Sequence, residues 1–333
     1  MLAYSSSMEL IAGDIGGTKS WLAWVAGEAG GVPRLRFEKV YASADFASAD
    51  ALLRQFVTEA QSTVPPSALI LALPGPLHAQ RVKLTNLDWT LDAAAMAASL
   101  GIADVRFIND FQAAAAGVAT LAASDVIALT PRPADPGGVR AITGAGTGMG
   151  LAFMVADPGG RYRSFASEGG HTDFAPGNAM QARLLERLRA EYGHVSWERV
   201  VSGSAMNDLY RFCCTERGLA QPGEAVDGAA LVARAGAGDG AGDGAAAAAL
   251  DLFVDLYGAW VGNVALLYQP RGGLYIAGGV SRHLRAHLQS PRFMAAAADK
   301  GRLRGAVERT PVFLIVQPRL GVQGAIATAF APP

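Results

Sequence analysis

The apolar positions along this chain follow two patterns, one typical of strands and one typical of helices. Short apolar runs predict strands at 10–15, 20–25, 34–41, 68–73 and 105–108. Apolar residues three and four positions apart predict helices at 49–61, 92–100 and 111–121, the second of them capped by Asp92. Strands that alternate with helices in this way indicate an α/β sheet covered by helices.

The second half of the chain repeats this opening in outline. It contains a hairpin pattern around 144–150 and helical patterns at 179–192, 203–217 and 245–267. Two further apolar runs predict strands at 273–277 and 312–316, and a terminal helix is predicted at 321–330. The segment 235–249 is almost entirely Ala, Gly and Asp, which predicts a flexible loop leading into a helix, and we assign it no function.

Two glycine-rich turns of the same design each lie between two apolar runs. The first contains Gly13, Asp14, Ile15, Gly16, Gly17 and Thr18, and the second contains Gly144, Gly146, Thr147, Gly148 and Gly150. Glycine permits positive φ angles and lets backbone N–H groups approach an anion closely, and threonine adds a hydroxyl donor. One such turn is weak evidence, because glycine-rich hairpin turns are common. Two in one chain predict a nucleotide that is held between two halves of the protein.

The better-known phosphate-binding motifs do not occur in this sequence. The spacing Gly-x4-Gly-Lys-Ser/Thr is missing, and the residues from Leu151 onward are typical of a strand, whereas a dinucleotide fingerprint requires a helix there. These observations disfavour a P-loop ATPase and an NAD enzyme. Asp14 adds a clue, because a carboxylate inside a phosphate-binding turn repels phosphate unless Mg²⁺ lies between them. The alternative is an aspartate that only stabilises the turn.

Polar residues near the ends of predicted elements are candidates for catalysis and sugar binding. Asn109 and Asp110 follow a buried strand, where an aspartate can take a proton from a substrate hydroxyl or merely cap the next helix. Glu168 and His171 flank two glycines and can both hydrogen-bond vicinal hydroxyls, the groups that define a sugar, although a structural histidine in a turn gives the same pattern. Glu198 lies near the start of a predicted helix, where acidic residues are common in any case.

A further glycine pair, Gly278 and Gly279, follows an apolar strand and precedes a helical stretch. This is the form of a strand–turn–helix anion site, and also of an ordinary connection between a strand and a helix. The sequence offers neither a Ser/His/Asp nucleophile set nor a metal cluster. Five candidate sites in one order are stronger evidence together than each is alone.

Composition excludes several classes of function. The chain of 333 residues is long enough for two domains, and its net charge of −1 provides no basic surface for nucleic acid. No apolar run reaches the length of a membrane span, and the N-terminal residues lack the regions of a signal peptide. The two cysteines are adjacent, which is unsuited to a disulfide. We therefore expect a cytoplasmic protein that binds neither nucleic acid nor a membrane.

The order of these segments resembles the bacterial-type glucokinases of the hexokinase–actin–heat-shock ATPase superfamily, from about residue 10 to residue 329. The matching segments are GDIGGT at 13–18, TNLDW at 85–89, INDF at 108–111, GAGTG at 144–148, EGGHTDFAP at 168–176, GHVSWERVVSG at 193–203, YIAGG at 275–279, DKGR at 299–302 and PVFLIV at 311–316. Lys19 stands where many relatives carry Asn, and Met149 replaces a common Leu. A related repressor–kinase family with a structural zinc is disfavoured, because its cysteine cluster is missing.

The resemblance implies a role for each matched position. Asp110 would be the general base that takes the proton from the sugar 6-hydroxyl. The other hydroxyls of glucose would be held by Asn109, Glu168, His171 and Glu198. The phosphates of ATP would be cradled by Gly16, Gly17, Thr18, Gly146 and Thr147, while Asp14 would orient Mg²⁺ through water. The adenosine would lie against Gly278 and Gly279.

The resemblance also implies a fold and an activity. The fold would be two actin-like, ribonuclease H-like α/β domains with a cleft between them, one formed by residues 1–120 and 311–333 and the other by residues 121–310. The protein would be a homodimeric glucokinase that phosphorylates D-glucose with Mg-ATP. Three alternatives stay open, namely a kinase of another hexose, a sugar-responsive regulator and a nucleotide-binding scaffold. The regulator would need a DNA-binding domain, and the scaffold would not need sugar-binding residues.

Overall fold

The computed structural model describes residues 8–28, 30–84, 87–236 and 243–331. The chain divides into two compact units, the first formed by Met1–Ala123 and Gln317–Pro333 and the second by Ser124–Val316. The loop predicted within 235–249 lies partly outside the described residues, as do Thr85 and Asn86 of the matching segment at 85–89.

Among the described residues, the first unit has seven strands and three α-helices before the chain enters the second. The strands are β1 (Met8–Ile15), β2 (Lys19–Gly27), β3 (Arg34–Ala42), β4 (Ala68–Leu73), β5 (Arg81–Lys83), β6 (Thr90–Asp92) and β7 (Asp104–Asn109). The helices are α1 (Ala49–Ala60), α2 (Ala93–Leu100) and α3 (Asp110–Gly117). After the second unit the chain returns as a C-terminal helix, Leu320–Phe330.

The main sheet of the first unit has the strand order β3-β2-β1-β4-β7. The strands β1, β4 and β7 are parallel, and β1 is antiparallel to β2. Successive side chains of β1 and β4 enter different cores, because alternate residues of a strand face opposite sides of a sheet. Ile11 and Leu69 belong to the cluster that includes helix α1, whereas Leu10 packs in the cluster that includes the C-terminal helix. The sheet is therefore covered on both faces.

The C-terminal helix lies close to α3. An added Cβ at Gly324 would overlap the Ala113 backbone, and one at Gly117 would contact the backbone of Leu320 at 2.5 Å. Glycine at these two positions lets the helices approach to near backbone contact, which fixes α3 and the residue that begins it, Asp110.

The second unit has six strands and eight helices among the residues described. The strands are β8 (Val126–Ala128), β9 (Arg140–Ala145), β10 (Met149–Ala156), β11 (Tyr162–Ser167), β12 (Leu274–Ala277) and β13 (Val312–Ile315), in the sheet order β11-β10-β9-β12-β13-β8. The helices are α4 (Ala179–Tyr192), α5 (Ala205–Glu216), α6 (Gly228–Ala235), α7 (Gly244–Tyr268), α8 (Gly279–His283), α9 (Arg285–Leu288), α10 (Pro291–Ala298) and α11 (Arg304–Glu308).

Helix α7 is the central core helix of the second unit. Phe253, Tyr257 and Trp260 on this helix are all almost fully buried. By length and composition it is the one helix in the described part of the chain that could cross a membrane, contrary to the expectation from the sequence that no such segment exists. However, 67% of its most apolar 18-residue window is buried inside the protein, which is typical of a core helix.

The last strand falls in a different unit from the one predicted. The resemblance predicts residues 311–333 in the first domain, whereas the second unit extends to Val316. The reason is strand pairing, since β13 runs parallel to β12 with Val312 opposite Leu274. The chain returns to the first unit only at Gln317.

Candidate active site

The first glycine turn, at 16–18, connects β1 to β2 and is held from behind by a buried serine. The N–H of Gly16 donates to the Lys19 carbonyl at 2.9 Å. Ser43 donates from Oγ to the Gly16 carbonyl at 2.7 Å, and its N–H donates to the Thr18 carbonyl at 3.1 Å. In a third bond of Ser43, its hydroxyl meets the hydroxyl of Ser20 at 2.9 Å. The turn is therefore fixed in shape while Thr18 stays exposed to solvent.

Asp14 lies at the carboxyl end of β1, beside this turn. Its partner in the neighbouring parallel strand is Ala72. The Asp14 carboxylate lies against Gly321 in the first turn of the C-terminal helix, so closely that a Cβ at Gly321 would overlap it. A helix N-terminus is a favourable place for a nearby negative charge, so the contact suits a carboxylate at this position.

Asn109 and Asp110 lie at the same edge of the sheet, where β7 ends and α3 begins. Asn109 caps α3, since its Oδ1 accepts the N–H groups of Phe111 at 2.9 Å and Gln112 at 3.1 Å. The capping alternative is therefore correct for the Asn109 oxygen, which leaves the Nδ2 amide group to bind a ligand. Asp110 is the first residue of the helix, and its carboxylate also accepts the Phe111 N–H at 2.8 Å.

The second glycine turn, at 146–148, connects β9 to β10 in the second unit. The Gly146 N–H donates to the Gly148 carbonyl at 2.9 Å. The segment before α5 holds the turn from outside, since Gly203 donates from its N–H to the Gly146 carbonyl at 2.8 Å and Ser204 donates from Oγ to the Thr147 carbonyl at 3.3 Å. Like the first turn, it presents an exposed threonine on a rigid frame.

The predicted strand–turn–helix at Gly278 and Gly279 is present. Gly278 has a φ of +99° and lies so close to Ala145 that a Cβ would overlap its backbone. Tyr257 supports this contact by accepting the Ala145 N–H at 3.2 Å. Burial raises the pKa of Tyr257 to about 12, so that its hydroxyl stays protonated at neutral pH.

Two of the predicted sugar-binding residues meet beside the second turn. Nε2 of His171 lies 4.0 Å from Oε2 of Glu198, and the same Oε2 accepts the N–H of Met149 at 2.8 Å. The Glu198 carboxylate thus contacts the end of the glycine turn and makes no cap for its own short helix. Both side chains keep an exposed surface, 58% for His171 and 31% for Glu198.

Glu168 stands at the start of the short 3-10 turn Gly169–His171. Its side chain is exposed, and within the described part of the chain its carboxylate makes no hydrogen bond or ion pair. The backbone of this turn is closed by the His171 N–H, which donates to the Glu168 carbonyl at 2.9 Å. Glu168 is therefore available to a ligand.

Three contributions to the site could not be assigned from the sequence. They are the buried hydroxyl of Ser43 and the missing side chain of Gly321, which lie outside the motifs, and the backbone N–H of Met149, which lies inside the second glycine turn but whose partner is distant. Each acts on a residue far along the chain, so only the folded structure brings the pairs together.

Comparison with known proteins gives one consistent family. A family model described as Glucokinase matches residues 11–331. A glucokinase of Synechocystis sp. is 38% identical over 349 aligned residues, which cover 97% of this chain and 98% of the relative. A crystal structure of a glucokinase from an Antarctic psychrotroph has a TM-score of 0.80 at 30% identity and covers 96% of this chain and 98% of its own. A glucokinase of Balamuthia mandrillaris in complex with glucose has a TM-score of 0.80 at 20% identity, covering 98% and 94% of the two chains.

Proposed function

The chain belongs to the glucokinase family, and we propose that it transfers the terminal phosphoryl group of ATP to the 6-hydroxyl of D-glucose. The observation that carries this proposal is the hydrogen bond of Glu198 to the end of the second glycine turn, with His171 4.0 Å from the same carboxylate. Groups that suit sugar hydroxyls and a turn that suits phosphate lie side by side in one unit, as a sugar kinase requires. The actin-like fold of two α/β units agrees with it.

The phosphate groups of ATP would bind at the two glycine turns. The first turn would contribute Gly16, Gly17 and Thr18, and the second would contribute Gly146 and Thr147. In support, both turns are held from behind by other segments, so that they can bind an anion without first being ordered. Gly278 and Gly279 would lie against the adenosine.

The residues present fit Mg²⁺. This ion is usually held by one or two carboxylates together with waters and substrate phosphates, so a single carboxylate beside a phosphate turn is sufficient. Asp14 meets this condition, and it would orient the ion through water. When bound, it would supply positive charge that offsets the negative charge of the phosphates. Among the described residues no group of three or more metal-ligating side chains occurs, so we do not propose a metal site formed by protein ligands alone.

The chain's own residues would prepare the sugar hydroxyl for attack. Asp110 would accept the proton of the 6-hydroxyl as general base. The amide of Asn109 would donate to a neighbouring hydroxyl, because its oxygen already caps α3. Glu168, His171 and Glu198 would hold the remaining hydroxyls. This arrangement supplies positioning and charge stabilisation, on which phosphoryl transfer mainly depends.

We also propose that the protein is a cytoplasmic homodimer. In support, the two cysteines are free, buried thiols in α5, as is usual for proteins of a reducing environment. Size-exclusion chromatography with light scattering measures the oligomeric state, and a monomer at micromolar concentration would contradict the dimer.

A coupled assay of ADP production with Mg-ATP and a panel of hexoses tests the proposed activity. We expect strong, saturable turnover with glucose and little with the other hexoses. Strong turnover with a different hexose would keep the mechanism but change the substrate. If ATP hydrolysis did not depend on any sugar, the kinase proposal would be wrong and a nucleotide-binding scaffold would take its place.

A further inference from the structure

The peptide groups of Met149 connect two predicted binding elements of the second unit. The N–H of Met149 donates to Oε2 of Glu198 at 2.8 Å. The carbonyl oxygen of Met149 lies against Gly170, so closely that a Cβ at Gly170 would overlap it. The end of the phosphate turn therefore lies between Glu198 and the turn that carries His171.

Gly148, directly before Met149, borders the same carboxylate. A Cβ built at Gly148 would overlap Oε2 of Glu198 and lie 3.2 Å from its carboxyl carbon. The φ angle of Gly148 is not in the left-handed region, so the backbone conformation alone does not require glycine here. The space that a side chain would need is the space that the Glu198 carboxylate fills.

We propose that Gly148 is a positioning residue for glucose binding. The absence of a side chain at this position lets the Glu198 carboxylate reach the Met149 N–H and stand 4.0 Å from His171. A residue of the phosphate turn thereby sets the position of Glu198, a side chain that would bind the sugar. This inference rests on the proposed function, because it takes Glu198 to be a ligand of glucose.

The expected effect of a side chain here is local. The Glu198 carboxylate is the far end of a flexible side chain and can swing away from an added methyl group without moving the backbone. The protein with Gly148→Ala should therefore fold, but its carboxylate should leave the Met149 N–H and the position beside His171. At Gly170 the same change would meet the backbone of Met149, which cannot swing aside.

The first experiment measures glucose binding by calorimetry in the absence of nucleotide, together with the melting temperature. For Gly148→Ala we expect the dissociation constant for glucose to rise about 10- to 100-fold, the range for loss of a hydrogen bond to a charged group. The melting temperature should stay within a few degrees of that of the wild type.

Gly146→Ala is the matched control in the same turn. A Cβ at Gly146 meets no atom within 4 Å, and its φ angle is also outside the left-handed region. We expect this variant to raise the KM for ATP while its glucose dissociation constant stays within about twofold of the wild type, well below the effect of a lost charged hydrogen bond. Equal losses of glucose affinity in both variants would overturn the inference, since a methyl group anywhere in the turn would then weaken glucose binding.

A double-variant cycle separates displacement of Glu198 from general damage to the turn. The kcat/KM for glucose is compared for Glu198→Ala with and without Gly148→Ala, since this ratio can be measured without saturation. If Gly148 acts through Glu198, the second change should have less than about a twofold effect in the Glu198→Ala background. Fully multiplicative losses would overturn the inference.

Measurements on the wild-type protein distinguish failure of the Gly148 proposal from failure of the glucokinase proposal. Wild-type turnover on glucose combined with unchanged glucose binding by Gly148→Ala would overturn the role of Gly148 and leave the glucokinase proposal intact. A wild-type protein that neither binds nor phosphorylates glucose would overturn both.

Discussion

Ser43 donates a hydrogen bond from its buried hydroxyl to the carbonyl oxygen of Gly16 at 2.7 Å, across 27 positions of the chain. Its own N–H donates to the Thr18 carbonyl, and its hydroxyl also meets that of Ser20. One serine thus holds both ends of the first glycine turn. The shape of this turn depends on a residue outside every motif in the sequence.

Replacing Ser43 by alanine should loosen that turn. The Gly16 carbonyl and the Ser20 hydroxyl each lose a partner, so we expect a free energy of unfolding lower by about 1–3 kcal/mol and a KM for ATP raised several-fold. Steady-state kinetics and denaturant unfolding measure the two effects. Ser67→Ala is the control, because Ser67 donates a similar bond to the Glu9 carbonyl. A Ser43→Ala variant with lower stability but an unchanged KM for ATP would show that the turn does not bind the nucleotide.

Asp110→Asn should remove turnover while glucose still binds. The amide cannot accept the 6-hydroxyl proton, and general-base catalysis contributes about 10²- to 10⁴-fold to a rate. We expect kcat to fall within this range, with the glucose dissociation constant nearly unchanged. Asp104→Asn, at the opposite end of β7, is the control for a lost carboxylate. Full kcat in Asp110→Asn would rule out the general-base role.

Glu168→Ala should mainly weaken sugar binding. Because this carboxylate is exposed and no bond to the described residues holds it, its loss should not affect folding. We expect the KM for glucose to rise about tenfold or more, as for a lost charged hydrogen bond, with a smaller change in kcat. Glu186→Ala on α4, also exposed, controls for the charge. An unchanged KM for glucose would remove Glu168 from the sugar site.

Gly321→Ala should disturb the position of Asp14. The added methyl group would overlap the Asp14 carboxylate, whereas alanine inside a helix is itself favourable by up to about 1 kcal/mol. We therefore expect a higher Mg²⁺ concentration for half-maximal activity in a protein that still folds. Gly305→Ala in α11 is the matched control, since only the flexible side chain of Arg309 lies near its Cβ. An unchanged Mg²⁺ requirement would contradict a role of Asp14 beside the ion.

Glu59 makes the stability of the first unit depend on pH. Its carboxylate accepts hydrogen bonds from Lys39, Tyr41 and Gln55 at 2.8, 2.7 and 2.9 Å. The bond from Lys39 is the largest cause that lowers the pKa of Glu59 from 4.5 to about 2. Because the folded pKa lies below the unfolded value, this stabilisation is complete above pH 4.5 and is lost as the pH falls from there toward 2.

Glu59→Gln should therefore lower the melting temperature at pH 7, and the difference from the wild type should shrink as the pH falls below about 4.5. Thermal unfolding of both proteins at a series of pH values between neutral and acidic measures this difference. A difference that is constant with pH would mean that the Glu59 charge contributes nothing to stability.

Much of the fold could be predicted because apolar periodicity and capping are local signals. The predicted cap of α2 is confirmed, since Asp92 accepts the N–H groups of Ala94 and Ala95. The glycine turns could also be found, because glycine marks close backbone approaches such as Gly278 against Ala145. The two-domain α/β fold predicted from the resemblance is confirmed by the glucokinase structures.

The parts that could not be predicted depend on pairing between distant segments. The apolar run at 312–316 fits either sheet, and only its register with β12 assigns it to the second unit. The position of Gly321 against Asp14 has no local signal either, since a glycine near a helix start has many explanations. The acidic residue Glu198 could be explained by the start of a helix, but its partner is the distant Met149 N–H. The roles of these residues in catalysis and binding stay predictions.

The C-terminal helix gives the first unit a particular history during synthesis. Leu10 and Ile70 on one face of its sheet are covered by residues such as Val322 and Phe330, which leave the ribosome only after the whole second unit. At about 5–20 residues per second, that face stays bare on the nascent chain for about ten seconds or more. The second unit can complete its core before the C-terminal helix covers the sheet of the first unit. We expect cellular chaperones to bind the uncovered sheet face during this interval.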